Sequence, residues 1–541
     1  MKKLYVLTTF LFCLFIFNET LAQPGPVPAW VSRYNGPAGK SDQVRAMTVA
    51  NGFVYVTGPS DGSKNGNIDY ATIKYDANNG QQVWMARYNG PGNGEDWPYA
   101  IAVDGAGNVY VTGRSVGNGT NFDYATVKYT PGGVQRWAAR YNSPGNRNDI
   151  AKAIAVDAAG NVFVTGAADA ENVLGNPNAA TTVKYDSLGH QIHVATYDAL
   201  SNSYNYNSNT EDGNSVALDA IGNLYVAGNS AGALIIKYDT SLQSQWFKNI
   251  AGGDAHKVLV DASNNVLVTG WTGQTFKYSS NSSGDLIWQA TNSSGSFWDM
   301  ALDHAGNVYV TGEGSDYLTE KYDANTGTTL WSKTYVGSGN GPDFARSIAV
   351  DGSGNVYVTG HNTVKNGRST LTCAGTIKYD NSGATKWAAL YDSAAKLNSD
   401  GFVVTTDGDG NVYIAGQGIS NAKANDFDFL TIKYSAGSSG FTTQHSGNVA
   451  ENDVSTVFSL LNYPNPFSNN TTIEYQLPHD GKVKLAIYDL AGKEIASLVN
   501  EAKLAGVYKV NFEAGKLSSG TYLCKIQCGD LTKTKQLIIL K

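Results

Sequence analysis

Charged side chains are scarce in this sequence: Asp, Glu, Lys and Arg make up 16% of 541 residues, against about a quarter in an ordinary soluble domain. That excludes a coiled coil, a helical array and a polybasic nucleic-acid binder, and a formal net charge of -7 gives no field to draw nucleic acid or an anionic membrane. Cysteine is scarce too. Four residues, one of them Cys13 in an apolar leader, cannot make a disulfide scaffold. After residue 17 no apolar run approaches the ~20 residues of a membrane span, so no transmembrane segment is expected in the mature chain. Catalytic signatures are also missing. The seven histidines show no HExxH spacing, and there is no Walker loop or Cys-x-x-Cys pair.

What the sequence does contain is apolar and aromatic mass, 42% and 11% of residues, with 60 glycines to punctuate it. That is enough to build large cores and argues against wholesale disorder. The first residues, Met1-Lys2-Lys3, the apolar run 4–17 and the small residues Thr20 and Ala22 predict a secretory signal over 1–22, cleaved after Ala22.

Beyond it one string recurs. DGAGNVYVTG (104–113) has cognates at 157–166, 219–228, 261–270, 303–312, 351–360 and 407–416, and a degenerate first copy ends at Gly58. Successive terminal glycines lie 42 to 62 residues apart, overlapping and exceeding the ~40–50 of a four-stranded propeller blade. Before each string comes a short apolar segment such as AIAVD (100–104); after it come segments of the types YATIKY (70–75) and WMARY (84–88). All are β-branched and aromatic, and Gly, Asn, Asp and Pro bound them, so each unit reads as a four-stranded antiparallel meander. The Asp-x-x-Gly-Asn element supplies the turn between the first two strands. The tryptophan segment appears once too early, at WVSRY (30–34), and is missing after Tyr434. The ends therefore complement each other, and the expected fold is an all-β propeller closed by its N-terminal strand, eight blades by count with seven left open.

DGxGNVYVTG followed by TxKYD resembles the SBBP family of bacterial β-propeller repeats, and the likeness extends over roughly 27–436. The resemblance implies the fold and no particular reaction. From 436 to 457 Ser, Gly, Thr and Asn dominate and predict a linker after a propeller over 23–435. Residues 458–541 alternate again and predict a small immunoglobulin-like sandwich. Its motifs NYPNPF (462–467), IYDLAGK (487–493), LSSGTY (517–522) and KQLIILK (535–541) resemble the type A C-terminal sorting domain of the type IX secretion system of Bacteroidetes. The resemblance implies passage through the periplasm, the type IX machinery as a partner of 458–541, and a product secreted or held at the outer-membrane surface.

Two sets of candidate site residues emerge. An acid precedes the apolar strand of nearly every unit: Asp42, Asp96, Asp149, Asp212, Asp254, Asp343 and Asp400, with none at the boundary near Ser296. Such a ring around the channel could hold a calcium ion through its carboxylates, or each Asp could simply bond backbone N–H groups; the second reading is favoured because scaffolding obeys a repeat where a site breaks it. Trp97, Trp271 and Trp298 do break the repeat and are the candidate ligand contacts, whereas the repeated tryptophans read as packing between blades. The leading expectation for function is a non-catalytic, exported scaffold that binds an extracellular protein or glycan. The alternative is a metal-dependent hydrolase or lactonase using the channel carboxylates.

Overall fold

The computed structural model describes residues 23–540 apart from 25, 63–66, 170–177, 198–211, 231, 251–252, 294, 340, 367–368, 392–396, 420–425, 437–458, 464–466, 478–480, 491, 504–505, 516 and 530. The expected signal, 1–22, and all of the expected linker but Ala436 lie outside the described residues.

Alternation of buried and part-buried residues, with turn residues at fixed intervals, folds the repeats into eight antiparallel sheets. In the first, Ala46–Ala50, Phe53–Asp61, Ile68–Asp76 and Gln82–Tyr88 pair in chain order. The first strand of each sheet is innermost and lies against the first strand of the next, and that of the eighth lies against that of the first. The sheets therefore close into an eight-bladed propeller. The eighth blade takes its outer strand from the other end of the chain: Trp30–Tyr34 pairs antiparallel with Phe427–Tyr434, Trp30 opposite Lys433 and Tyr34 opposite Phe429. Gln23–Pro24 adds a short parallel fifth strand to the seventh blade beside Trp387 and Ala388. No helix among the described residues is long and apolar enough to cross a membrane.

Each repeated residue type has a mechanical task. In the first turn of the second blade, Asp104 accepts N–H bonds from Ala106 and Asn108, the Asn108 amide at 2.7 Å and the Tyr110 hydroxyl at 2.9 Å, while Gly107 takes a φ of 83°. Burial works to raise the Asp104 carboxyl, but these donors outweigh it and hold it below its usual range. At the outer edge, Trp84 Nε1 and Lys74 Nζ both donate to the Pro131 carbonyl of the next blade, at 2.9 and 3.1 Å. Trp137 with Lys128 does the same at Ser187 O, Trp288 with Lys277 at Ala324 O, and across the closure Trp30 with Lys433 at Ala77 O. The recurrent Trp and the Lys of TxKYD thus staple one blade to the next, and the buried apolar clusters, such as Tyr55, Tyr70 and Tyr88 with Val109 and Val111, sit between blades.

Beyond the propeller, two sheets pack face to face. Ser459–Tyr463, Asn470–Leu477 and Gly506–Glu513 form one; Glu494–Lys503, Gly481–Tyr488, Gly520–Cys528 and Leu531–Ile539 form the other. Phe467 of the NYPNPF motif is buried between them, its N–H bonding Ile538 O and its carbonyl accepting from Leu540 N. Cys524 and Cys528 are buried free thiols in this core.

Candidate functional site

The innermost strands carry the feature that sets the site. In the second to eighth blades the ladder between first and second strands skips one residue at the same place, between the residue paired with the Gly and the residue paired with the Thr or Ala of the VTG, VAG or IAG string. The skipped residues are Tyr99, Lys152, Asn214, His256, Trp298, Arg346 and Phe402; in the first blade, where no skip occurs, Arg45 stands just before Ala46 in the corresponding place. A bulge leaves its residue without a ladder partner and re-aims the side chain. All eight keep solvent exposure, while the residue before each is buried.

These side chains touch their neighbours around the inner rim. Lys152 Nζ donates to Asn214 Oδ1 at 3.0 Å, His256 stacks on Trp298 with ring centroids 4.5 Å apart, and the Arg346 guanidinium lies 5.2 Å from the Phe402 ring. Asn214 Nδ2 donates to Ala255 O and His256 Nδ1–H to Phe297 O, each reaching the next blade. Burial lowers the His256 pKa from its usual value, and the Phe297 carbonyl and Asp254 only partly oppose it, so the imidazole is neutral at pH 7. Strand direction puts the ring on the face that also bears the loops between second and third strands and those joining blades. The Asp-x-x-Gly-Asn turns lie on the opposite face.

Of the three tryptophans singled out by sequence, the structure brings two together. Trp298 is itself a ring member, and Trp271, 51% exposed, meets it edge to face at 5.5 Å. Trp97 stands apart in the second blade, between the guanidinium groups of Arg45 and Arg114, each 5.3 Å from its ring. Its indole N–H is buried without a hydrogen-bond partner.

The seven acids fall into two sets that a shift of one residue separates. Asp42, Asp96, Asp149 and Asp343 are buried beneath the blade-joining loops, where they accept the N–H of Gly36, Gly90, Ser143 and Gly337, six residues earlier in each case. Burial raises the Asp42 pKa to about 6, with the Ser60 and Gly36 donors opposing and the Asp428 charge adding to the rise. Asp212, Asp254 and Asp400 lie one position nearer the bulge. Asp212 pairs with Lys152 Nζ at 2.6 Å, and Asp400 accepts from His361 Nδ1 and Gln417 Nε2. Burial raises the Asp254 pKa, against the influence of His256. Among the described residues no three His, Cys, Asp or Glu side chains converge as a metal-binding group.

Sequence reasoning passed over Arg45, Tyr99, Lys152, Asn214, His256, Arg346 and Phe402. With the repeats aligned on VTG this column holds Arg, Tyr, Lys, Asn, His, Trp, Arg and Phe, but the residues on either side vary as well, so residue type alone did not single it out.

Residues 462–540 match the family described as secretion system C-terminal sorting domain, and residues 83–123 and 333–366 match the SBBP β-propeller repeat family. The chain therefore carries β-propeller repeats and a sorting tail of the kind that directs proteins to the cell surface or beyond. No curated protein is similar to it in sequence. Among solved structures, Sqt1 from Chaetomium thermophilum is 10% identical, with 76% of this chain and 100% of that one covered at a TM-score of 0.50. BamB from Moraxella catarrhalis is 13% identical over 73% of this chain and 99% of its own, TM-score 0.42. PorZ of Porphyromonas gingivalis, an essential bacterial surface component of the type-IX secretion system, is 15% identical over 92% of this chain and 66% of its own, TM-score 0.38. At these identities the likeness is one of fold alone.

Proposed function

We propose that this is an exported recognition propeller: the type IX route delivers it to the cell surface or the medium, and the loop-bearing face binds an extracellular ligand at the ring of bulged residues without transforming it. The observation that carries the reading is the ring itself. A scaffold repeats its residue types, yet at this position the eight blades present Arg, Tyr, Lys, Asn, His, Trp, Arg and Phe, all at least partly exposed, and in seven of the eight a bulge re-aims the side chain. Rigid strands fix the ring, as binding constellations require.

The acids favour binding over chemistry. Four are engaged by loop N–H groups, and Asp212 by a lysine, which suits them to hold the rim in shape. The test is capture. Immobilised mature chain, wild type and a Trp298→Ala/Arg346→Ala variant, is presented with a glycan array and with solubilised extracellular material. The wild type is expected to retain a ligand that the variant loses; equal retention by both would place recognition elsewhere.

A further inference from the structure

We propose that the ring takes an anionic saccharide, with carboxylate or sulfate groups on the arginine side and a sugar face on the tryptophan side; this rests on the ring being the binding site. The chain is acidic overall, with a net charge of -7, yet no ring position holds an acid and three hold cations, Arg45, Lys152 and Arg346. Lys152 is neutralised by Asp212. Among the described residues the two arginines have no carboxylate partner. Arg45 donates to the neutral Gln43 amide at 3.2 Å and otherwise lies over Trp97, and Arg346 lies over Phe402. Just behind the rim, Arg114 packs over Trp97 and over Phe122 at 4.3 Å. Its one carboxylate, Glu95, stands at 4.0 Å, and its buried Nε has no partner.

Arg45 and Arg114 thus flank Trp97 with aromatic faces against both and only Glu95, at 4.0 Å from Arg114, as a carboxylate partner, while Arg346 stands two blades away along the same rim. Burial lowers the Arg45 pKa, the neighbouring Tyr99 opposes this, and the Arg114 and Arg346 charges lower it further. Such a grouping is unfavourable in the empty protein, and a bound anion relieves it through charge-assisted, bidentate bonds that the guanidinium fork makes to carboxylate or sulfate oxygens. Ring order sets what else the ligand must be. Trp298 directly precedes Arg346 around the rim, and His256 stacked behind it and Trp271 standing across it hold a flat, partly exposed aromatic surface. The C–H face of a pyranose packs on such a surface, and a ligand with both a sugar ring and an acidic group spans the two adjacent sectors. An acidic peptide would use only the first.

The experiment is a titration of the full mature chain with four polymers of similar length: a neutral dextran, a carboxylated polyuronate, a dextran sulfate and poly-glutamate. Wild type is compared with Arg45→Gln/Arg346→Gln, with Trp298→Ala, and with Arg136→Gln, an exposed cation on an outer strand that removes one charge far from the rim. Expected are binding to the polyuronate, the sulfate or both, weakening with salt, a loss of at least about tenfold in the double arginine variant and in Trp298→Ala, and no change in Arg136→Gln. Unchanged melting temperatures exclude unfolding as the cause, since neither exposed arginine holds a core contact. Binding to dextran alone, lost in Trp298→Ala, would overturn the anionic assignment while leaving the ring as the site. Poly-glutamate binding as tightly as the polysaccharides, with Trp298→Ala unaffected, would replace the saccharide with a peptide. Binding that no ring variant alters would overturn both this inference and the ring.

Discussion

Asp42 shows what a single residue can reveal and what it hides. That an acid stands ahead of nearly every inner strand was legible in the sequence; that the acids form two sets was not, because a one-residue offset against the second strand sends a side chain to the other face of the sheet, and only the ladder shows the offset. Asp42 is fully buried, with its carboxylate on the Gly36 N–H, and burial sets its pKa at about 6, above the ~3.9 of an unfolded chain. The folded protein therefore binds a proton that the unfolded chain releases between these values. Stability from this group is present below pH 4 and is lost as pH rises through 6. Asn keeps an oxygen for Gly36 and cannot titrate. Relative to Asp42→Asn, the wild type is expected to gain about 2 kcal/mol between pH 7 and pH 4.5, read by denaturant unfolding of both proteins at the two values. A constant difference would mean that the carboxylate is solvated.

At the scale of strands and turns, most of the architecture could be read from residue types. Strands announced themselves by alternation and by Val, Tyr and Thr, turns by Asp-x-x-Gly-Asn, and the closing strand by a tryptophan segment displaced to 30–34; the structure pairs that segment with Phe427–Tyr434. The bulges had no residue signature, since Tyr99, Asn214 and Phe402 share nothing but a position. The hairpin Val356–Asn366 with Ser369–Tyr379, each strand of 11 residues, also exceeds what the repeat implies. The turns between third and fourth strands offer a test of how blades are joined. Gly133 has a φ of 82°, and a Cβ there would sit 2.7 Å from the Trp84 ring of the preceding blade, whereas at Gly132 the nearest atom is 3.8 Å away. Gly133→Ala must therefore bear left-handed strain and push on the Trp84 staple, costing about 2 kcal/mol or more. Gly132→Ala should stay within about 0.5 kcal/mol of wild type. Thermal unfolding of the two variants makes the comparison, and equal effects would remove the tryptophan contact from the account of blade packing.

For the whole molecule, the ring closes on itself and the tail stands on its own core. Every buried residue of the tail cluster lies between Leu460 and Ile539, on or between the strands of the C-terminal sheets, while the clusters that join first and last blades draw on residues such as Trp30, Tyr75, Tyr413 and Phe429. The tail is thus not needed to bury the propeller's apolar surface, and the closing strand leaves no open edge between blades that the tail would have to cover. Sequence motifs identified both parts because repeats and a sorting signature are written in residue types; the proposed binding ring was not legible because its column takes on meaning only when eight strands are placed around one axis. If the tail is an address and not a structural partner, stability and export must separate. A chain ending at 457 is expected to melt within a few degrees of the mature protein's propeller transition, and in a host with type IX secretion to accumulate in the periplasm instead of reaching the surface or medium. Fusing 458–541 to an unrelated periplasmic passenger should send that passenger out. Normal surface delivery of the truncated chain would show that the propeller carries its own export signal. A propeller that fails to fold without the tail would show that the two cores depend on each other after all.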